Sequence, residues 1–355
     1  MEATALHSPH IAATDVPLGK TGVLLVNLGT PDSPSVPDVR KYLREFLMDG
    51  RVVDFPYLAR FILVNGIIAP FRAPKSAKIY RELWTENGSP LKFYGHAVEK
   101  LVQDKLGDEY VVTLAMRYQS PSIDSALAAF KKLALTSIVV VPFFPQYASA
   151  STGSVYEKVM DILQTWQVIP QVRFVNSFVD HPKFIEGFAQ IGRRHMAAYD
   201  YEHFLFSYHG LPQRQIRKGD ESKTVCKFGE CCESLRADNQ YCYRAQCFET
   251  TRRLVKALGI PEGAYTTSFQ SRLGNDPWIK PYTDDVIKAL AGRGIKSVLA
   301  FSPAFVSDCL ETTIEVGEEY KEIFEEAGGK HWQLVESLND SPLWIETVVD
   351  LVKGS

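Results

Sequence analysis

The segment Val175-Asn-Ser-Phe-Val-Asp-His-Pro-Lys-Phe-Ile-Glu186 returns without a gap as Val335-Glu-Ser-Leu-Asn-Asp-Ser-Pro-Leu-Trp-Ile-Glu346. Val, Ser, Asp, Pro, Ile and Glu coincide at an offset of 160 residues. The same offset lays 126–141 on 286–301. Each of these reads as a helix, a short turn and an apolar run, Ser137-Ile-Val-Val-Val against Ser297-Val-Leu-Ala-Phe. Chance could supply one match; two at one offset indicate a duplicated α/β unit.

Outward from these segments, short β-rich runs alternate with helical patterns. Strands are expected at 23–28, 110–116, 138–141, 171–174, 204–208, 265–269, 298–301 and 332–335. Helices are expected at 37–47, 73–84, 97–106, 123–133, 154–166, 182–198, 247–258, 283–291, 311–327 and 342–352. Continuous apolar strands followed by amphipathic helices imply parallel sheets covered on both faces. The expected fold class is α/β, with two similar Rossmann-like domains of roughly four strands each and a ligand cleft between or within them. Residues 1–20 read as a disordered tail, 21–180 with 340–355 as the first domain, and 181–339 as the second. The terminal helices are expected to be exchanged, 182–198 leading into the second domain and 342–352 returning to the first, so that neither half folds alone.

Composition narrows the function. The chain has 355 residues, 39 basic and 42 acidic, for a net charge of −3. That balance gives no electrostatic footprint for nucleic acid. The longest apolar stretch, 55–71, is broken by Arg60, Asn65 and Gly66 and falls short of the ~20 apolar residues a membrane span needs. The first twenty residues lack a basic region followed by an apolar one, so a cytoplasmic protein is expected. Five of six cysteines (Cys226, Cys231, Cys232, Cys242, Cys247) crowd one short segment, where metal ligation is a better reading than disulfides. Cys309 stands apart.

Ligands of open parallel sheets bind beyond the carboxyl ends of the strands. In the first half those ends carry Asn27-Leu28-Gly29-Thr30-Pro31 and the stretch from Pro142 through Tyr147 to Ser154. No Walker lysine follows and the glycine spacing is wrong for a dinucleotide, so turn and cap chemistry explains them. In the second half His209 immediately follows the strand at 204–208, and the strand at 298–301 leads into Asp308-Cys309-Leu310-Glu311. Glu311, Glu315 and Glu319 follow at i, i+4, i+8, a row drifting only ~40° per step on an α-helix. A solvated acidic face at a helix start would look similar. A carboxylate row opposite a strand-end histidine instead suggests a path for a divalent cation such as Fe²⁺.

At this point the motifs resemble one family. Tyr208-His209-Gly210-Leu211-Pro212, then Phe269-Gln270-Ser271-Arg272-Leu273-Gly274 with Pro277-Trp278, then Asp308-Cys309-Leu310-Glu311-Thr312, are similar to those of ferrochelatases. So are Leu25 to Pro31, Gly88-Ser89-Pro90, Arg117-Tyr118, Pro145-Gln-Tyr147 and Ser151 to Ser154. The resemblance runs from about Val23 to the end. It implies insertion of Fe²⁺ into protoporphyrin IX to make protohaem, the terminal step of haem biosynthesis. It also implies two Rossmann-like domains with a porphyrin cleft. His209 and Glu311 would handle iron and protons, and Glu315 and Glu319 would extend the acidic path. Leu28, Arg72, Tyr80, Ser89 and Tyr118 fall at positions associated with porphyrin. The stretch 46–71, notably Phe55, Tyr57, Leu58, Phe61, Ile62, Leu63, Ile67 and Ile68, reads as a core helix by composition. By resemblance it is a hydrophobic lip with peripheral membrane contact.

The cysteines form an insertion at about 218–247 with spacing C-x4-C-C-x9-C-x4-C. The resemblance implies a bacterial type in which four of the five hold a 2Fe–2S cluster; zinc and free thiols are the alternatives. The chain ends Leu351-Val-Lys-Gly-Ser355 without the carboxyl-terminal cysteines of animal members, and a monomer is expected. Competing readings are insertion of iron into coproporphyrin, insertion of cobalt into another tetrapyrrole, or a non-enzymatic iron or haem carrier.

Overall fold

Each of the eight β-rich runs is a strand, with ends within two residues of expectation. In chain order they are β1 (Thr21–Gly29), β2 (Tyr110–Tyr118), β3 (Ser137–Pro142), β4 (Gln171–Phe174), β5 (His203–His209), β6 (Tyr265–Gln270), β7 (Ser297–Phe301) and β8 (His331–Leu334). The computed structural model describes residues 19–272 and 276–354. The expected tail up to residue 18 and the motif residues Leu273 and Gly274 lie outside the described residues. The strands form two four-stranded sheets, ordered β2-β1-β3-β4 and β6-β5-β7-β8, and every pairing is parallel. In each sheet the chain goes from the first strand to one side and then crosses to the other. A crevice therefore opens at the carboxyl ends of β1 and β3, and another at those of β5 and β7.

The helices are α1 (Val36–Leu47), α2 (Tyr57–Ile62), α3 (Ala69–Leu83), α4 (Pro90–Leu106), α5 (Ile123–Phe130), α6 (Ser154–Leu163), α7 (Pro182–Ala198), α8 (Gln213–Lys218), α9 (Tyr243–Leu258), α10 (Thr283–Gly292), α11 (Tyr320–Glu326) and α12 (Pro342–Lys353). Several begin earlier than their apolar pattern. Pro90 opens α4 because a proline in the first turn lacks only an N–H that has no helical partner anyway. The larger departure is at 311–327, where one α-helix was expected. Leu310–Glu319 is π-helical and only Tyr320–Glu326 is α-helical. Its wider turns are held from outside, with Trp332 Nε1 donating to the Val316 carbonyl at 2.8 Å.

One apolar core joins the two sheets. Val23, Leu25 and Phe143 from the first, and Phe206 and Phe301 from the second, share it with Trp344 of α12. Trp344 meets the Phe143 ring edge-on at 5.2 Å, and Arg173 Nη2 donates to the Leu351 and Val352 carbonyls at 2.8 and 2.5 Å, so the last helix lies on the first sheet. Helix α7 lies on the second. A Cβ at its Gly192 would come within 2.8 Å of the Phe301 ring, so glycine is what allows this approach.

Candidate active site

His209 is the last residue of β5, half-buried, with Nδ1 2.7 Å from the Gly210 carbonyl and its own carbonyl accepting from Tyr243 Oη at 2.8 Å. Gly210 must be glycine, because a Cβ there would sit 2.6 Å from the Gln270 carbonyl that its N–H bonds. In the sheet His209 pairs with Gln270 at the end of β6. The Gln270 side chain is almost wholly buried and spans to the π-helix. Its Nε2 donates to Glu315 Oε2 at 3.0 Å and to the Glu311 carbonyl at 3.2 Å, and its Oε1 accepts from Ser207 Oγ at 2.7 Å. Sequence reasoning quoted Gln270 but gave it no role; its place at a strand end beside His209 was the available signal.

Glu315 also accepts from Ser271 Oγ at 2.7 Å and Tyr320 Oη at 3.0 Å. One turn on, burial raises the Glu319 carboxyl above its ordinary value, and the charge of Glu315 adds to this while Lys75 opposes it. In a π-helix four residues fall short of a full turn instead of passing it, so the acidic row drifts in the opposite sense from the α-helical expectation. Glu311 sits one residue into this segment, behind Cys309, whose thiol is pushed up by burial and by Glu311.

The first half supplies the opposite wall. Tyr80 of α3 is buried in a cluster with Tyr42, Tyr118 and Ile314, with Leu28 and Leu310 at its edge. Burial and the nearby Glu311 push its phenol up. Ser89 is buried and its hydroxyl has no partner, as do Thr30 Oγ1 and Asn27 Nδ2 at the end of β1. Buried polar atoms are seldom left so, and these suit a polar group of a ligand. Arg72 is exposed on α3. Tyr118 is fully enclosed. Its hydroxyl donates to Asp49 Oδ2 at 2.9 Å, beside the Arg117 Nη2 contact to the same oxygen at 2.7 Å.

The stretch 55–71 is a surface feature, and its reading as a core helix does not hold. Tyr57, Leu58, Ile62 and Phe71 are 65, 69, 58 and 79% exposed, and α2 buries no residue. Among the described residues no helix is long and apolar enough to cross a membrane.

The inserted cysteines gather beside Tyr147. Cys226, Cys231 and Cys242 line a cavity of about 120 Å³ there. Cys231 and Cys232 have Sγ atoms 3.7 Å apart, and Lys227 N–H donates to Cys231 Sγ at 3.3 Å. A hydrogen bond from Cys242, supported by Arg244, lowers the Cys232 thiol to about 5. Cys247 is buried in α9, its thiol raised by burial and bonded with Tyr243. Among the described residues no three His, Cys, Asp or Glu side chains converge tightly enough to hold a metal ion. Burial raises the thiols of Cys226 and Cys247, and hydrogen bonding to Cys232 raises that of Cys242, so only Cys232 is held toward thiolate. Five sulfurs in one segment are by chemical type a soft donor set of the kind that binds iron or zinc.

Comparison with known proteins places the chain in a family. The ferrochelatase family model matches residues 20–355. A ferrochelatase of Legionella pneumophila is 44% identical over 333 residues, covering 94% of this chain and 98% of that protein. One of Coxiella burnetii is 40% identical over 336 residues, covering 95% of this chain and 94% of the relative. Among solved structures, SirB from Bacillus subtilis with Fe³⁺ superposes with a TM-score of 0.52 at 11% identity, covering 94% of both chains. At that identity the likeness is one of fold.

Proposed function

The chain belongs to the ferrochelatase family, and from that premise we propose that it inserts ferrous iron into protoporphyrin IX, the closing step of haem formation. The observation that carries the reading is Gln270, which ties the His209 strand end to the carboxylates of the π-helix. Porphyrin metallation releases two pyrrole protons as one dication enters, so the site needs a base beside the nitrogens and a route for cation and protons. The His209 imidazole accepts a pyrrole proton and faces the entering metal. Glu311 shares that task. Glu315 and Glu319 lead a hydrated Fe²⁺ inward and protons outward; the raised Glu319 carboxyl exchanges protons more readily than an ordinary carboxylate.

Leu28, Tyr80 and the unpartnered Ser89 hydroxyl form the porphyrin wall, with Arg72 at its rim for a propionate and Tyr118 behind it. The exposed segment 55–71 is the lip, which covers the macrocycle and makes at most an interfacial contact with lipid. The protein acts in the cytoplasm as a monomer. Four of the five clustered cysteines hold a 2Fe–2S cluster, which would supply the cross-link that so polar a segment lacks.

Anaerobic turnover with Fe²⁺ tests the reading, protoporphyrin beside coproporphyrin. Haem absorbance from protoporphyrin is expected. Product from coproporphyrin alone would move the assignment to the sister reaction, and product from neither would favour a carrier.

A further inference from the structure

Residues 51–55 lie in the 48–56 connection between α1 and α2 and form the root of the exposed apolar segment. Within the first half Arg60 Nη1 donates to the Val53 and Phe55 carbonyls at 3.1 Å and Arg51 pairs with Glu157; from the other half, one short helix holds them. Arg214 Nε donates to Asp54 Oδ1 at 2.9 Å and its Nη2 lies 2.8 Å from the same oxygen, while Nη1 pairs with Asp276. Lys218 Nζ takes the second Asp54 oxygen at 2.5 Å, and Gln215 Nε2 donates to the Val52 carbonyl at 3.1 Å. The Arg214 guanidinium also lies 5.5 Å from the Phe55 ring centre. Burial alone would raise the Asp54 carboxyl, but hydrogen bonds from Arg214 and Lys218 outweigh it and hold the group below its ordinary value.

The same helix is fastened at its back. Gln213 N–H donates to the Pro277 carbonyl at 2.9 Å, its Nε2 to the Trp278 carbonyl at 3.2 Å, and Ile279 N–H to the Leu211 carbonyl at 3.0 Å. Helix α8 starts directly after His209-Gly-Leu-Pro212, so it is rigidly continuous with the strand end that carries His209. Ordinary exposed ion pairs contribute little. This one differs, because its carboxylate is only 12% exposed and takes a guanidinium nitrogen pair on one oxygen and an ammonium on the other.

We propose that Arg214 is a positioning residue: through Asp54 it latches the root of the apolar segment 55–71 to the His209 strand end and keeps the lip in its porphyrin-binding position. This rests on the reading of 55–71 as a porphyrin-covering lip. Without the latch the lip spends part of its time displaced, and apparent porphyrin affinity falls by the fraction still in place.

The test uses the full chain with Arg214→Gln, Asp54→Asn and both together. Hydrogen exchange across 57–71, protoporphyrin fluorescence titration without metal, and steady-state KM and kcat are the readouts. Either single variant should speed exchange in that segment and raise porphyrin KM about tenfold, the equivalent of ~1.4 kcal/mol. At saturating porphyrin, kcat should move by less than about twofold, the split expected when binding alone is affected. The double variant should cost less than the sum of the two single ones, because both remove the Arg214–Asp54 contact, while Asp54→Asn also frees Lys218 and Arg214→Gln also frees Asp276. Arg214→Lys, which keeps charge but loses the fork, should fall between. Unchanged exchange at 57–71, or a fall in kcat with KM unmoved, would overturn the latch. Leu58→Asp separates the two ideas. If it leaves porphyrin affinity unchanged while Arg214→Gln still loosens 57–71, the lip reading fails and the latch remains as a mechanical contact.

Discussion

Replacing Gln270 by glutamate changes almost nothing in shape and everything in charge. The amide nitrogen now donates to Glu315 Oε2 at 3.0 Å and to the Glu311 carbonyl at 3.2 Å; in Gln270→Glu an oxygen faces two acceptors. Two full charges about 3 Å apart at an effective dielectric near 20 repel by roughly 5 kcal/mol. The pair avoids that by sharing a proton, so its upper pKa rises. Glu315 keeps its bonds from Ser271 and Tyr320, which leaves the introduced carboxyl as the protonated member. Its pKa is raised in the fold above the ~4.3 of an unfolded chain. The variant therefore matches wild type best below about pH 4, and stability is lost as pH rises from there through the folded value. At about 1.4 kcal/mol per unit, a shift of two units costs nearly 3 kcal/mol by neutral pH. Thermal melts from pH 4 to 8, plotted as the difference from wild type, read this directly. Gln270→Leu, which loses the bonds but adds no charge, should give a deficit without pH slope. A Gln270→Glu curve parallel to wild type at every pH would refute the contact between Gln270 and Glu315 on which the site rests.

His209→Ala should abolish iron insertion while protoporphyrin titration stays near wild type, since apolar contact holds most of the macrocycle; near-normal turnover would remove His209 from the mechanism. Glu315→Gln should be milder, a fall in kcat of about tenfold or less, because Glu311 and Glu319 remain to carry cation and protons. The protein prepared without oxygen should be red-brown with about two irons and two sulfides per chain. Single Cys→Ser changes should bleach it at four of the five positions, and a colourless preparation containing zinc would replace the cluster by a zinc site. Leu58→Asp should weaken sedimentation with anionic vesicles and raise porphyrin KM; unchanged values for both would end the lip reading.

The central strands β1, β3, β5 and β7 were legible because parallel strands buried on both faces read as nearly unbroken apolar runs, whereas the edge strands β4 and β8 are only partly buried. Strand ends shifted only by the residue or two over which elements fray. His209 stood out because it closes such a run, and Glu311 because it opens a row of carboxylates in the segment that the β7 run leads into. What could not be read arises from contacts between distant segments. Ten residues from Leu310 to Glu319 are too few for a period to distinguish π from α, and the π turns depend on Trp332, sixteen positions past Val316. Gln270 meets Glu315 across 45 positions, and Arg214 meets Asp54 across 160; neither pairing leaves a local pattern. The exposure of Tyr57 and Leu58 was equally hidden, because an apolar run buried in a core and one displayed on a surface have the same composition.

The duplication explains the scaffold, and the difference between its copies locates the chemistry. In both halves the third strand leads into a π-helical stretch and then an α-helix: β3 to Ser149–Gly153 to α6, and β7 to Leu310–Glu319 to α11. The π turn is thus shared by the two copies, and it cannot by itself mark an active site. In the first copy it carries Ser, Thr and Gly, and runs into Ser154, whose Oγ accepts from Arg117 Nε at 2.6 Å and donates to Asp49 Oδ2 at 2.5 Å. That network is closed. Burial raises the Asp49 carboxyl, yet bonds from Ser154, the Arg51 N–H and Arg117 more than offset this. In the second copy the same turn carries Glu311, Glu315 and Glu319 opposite a strand ending in histidine, and burial leaves Glu319 raised with only Lys75 to balance it. One copy uses its strand-end charges to lock the fold; the other leaves a carboxylate ready to take up a proton or a cation. On the proposed reading the first copy instead supplies a wall of Leu28, Tyr80 and Ser89, and a flat macrocycle between the copies would meet apolar surface on one side and the histidine and carboxylates on the other.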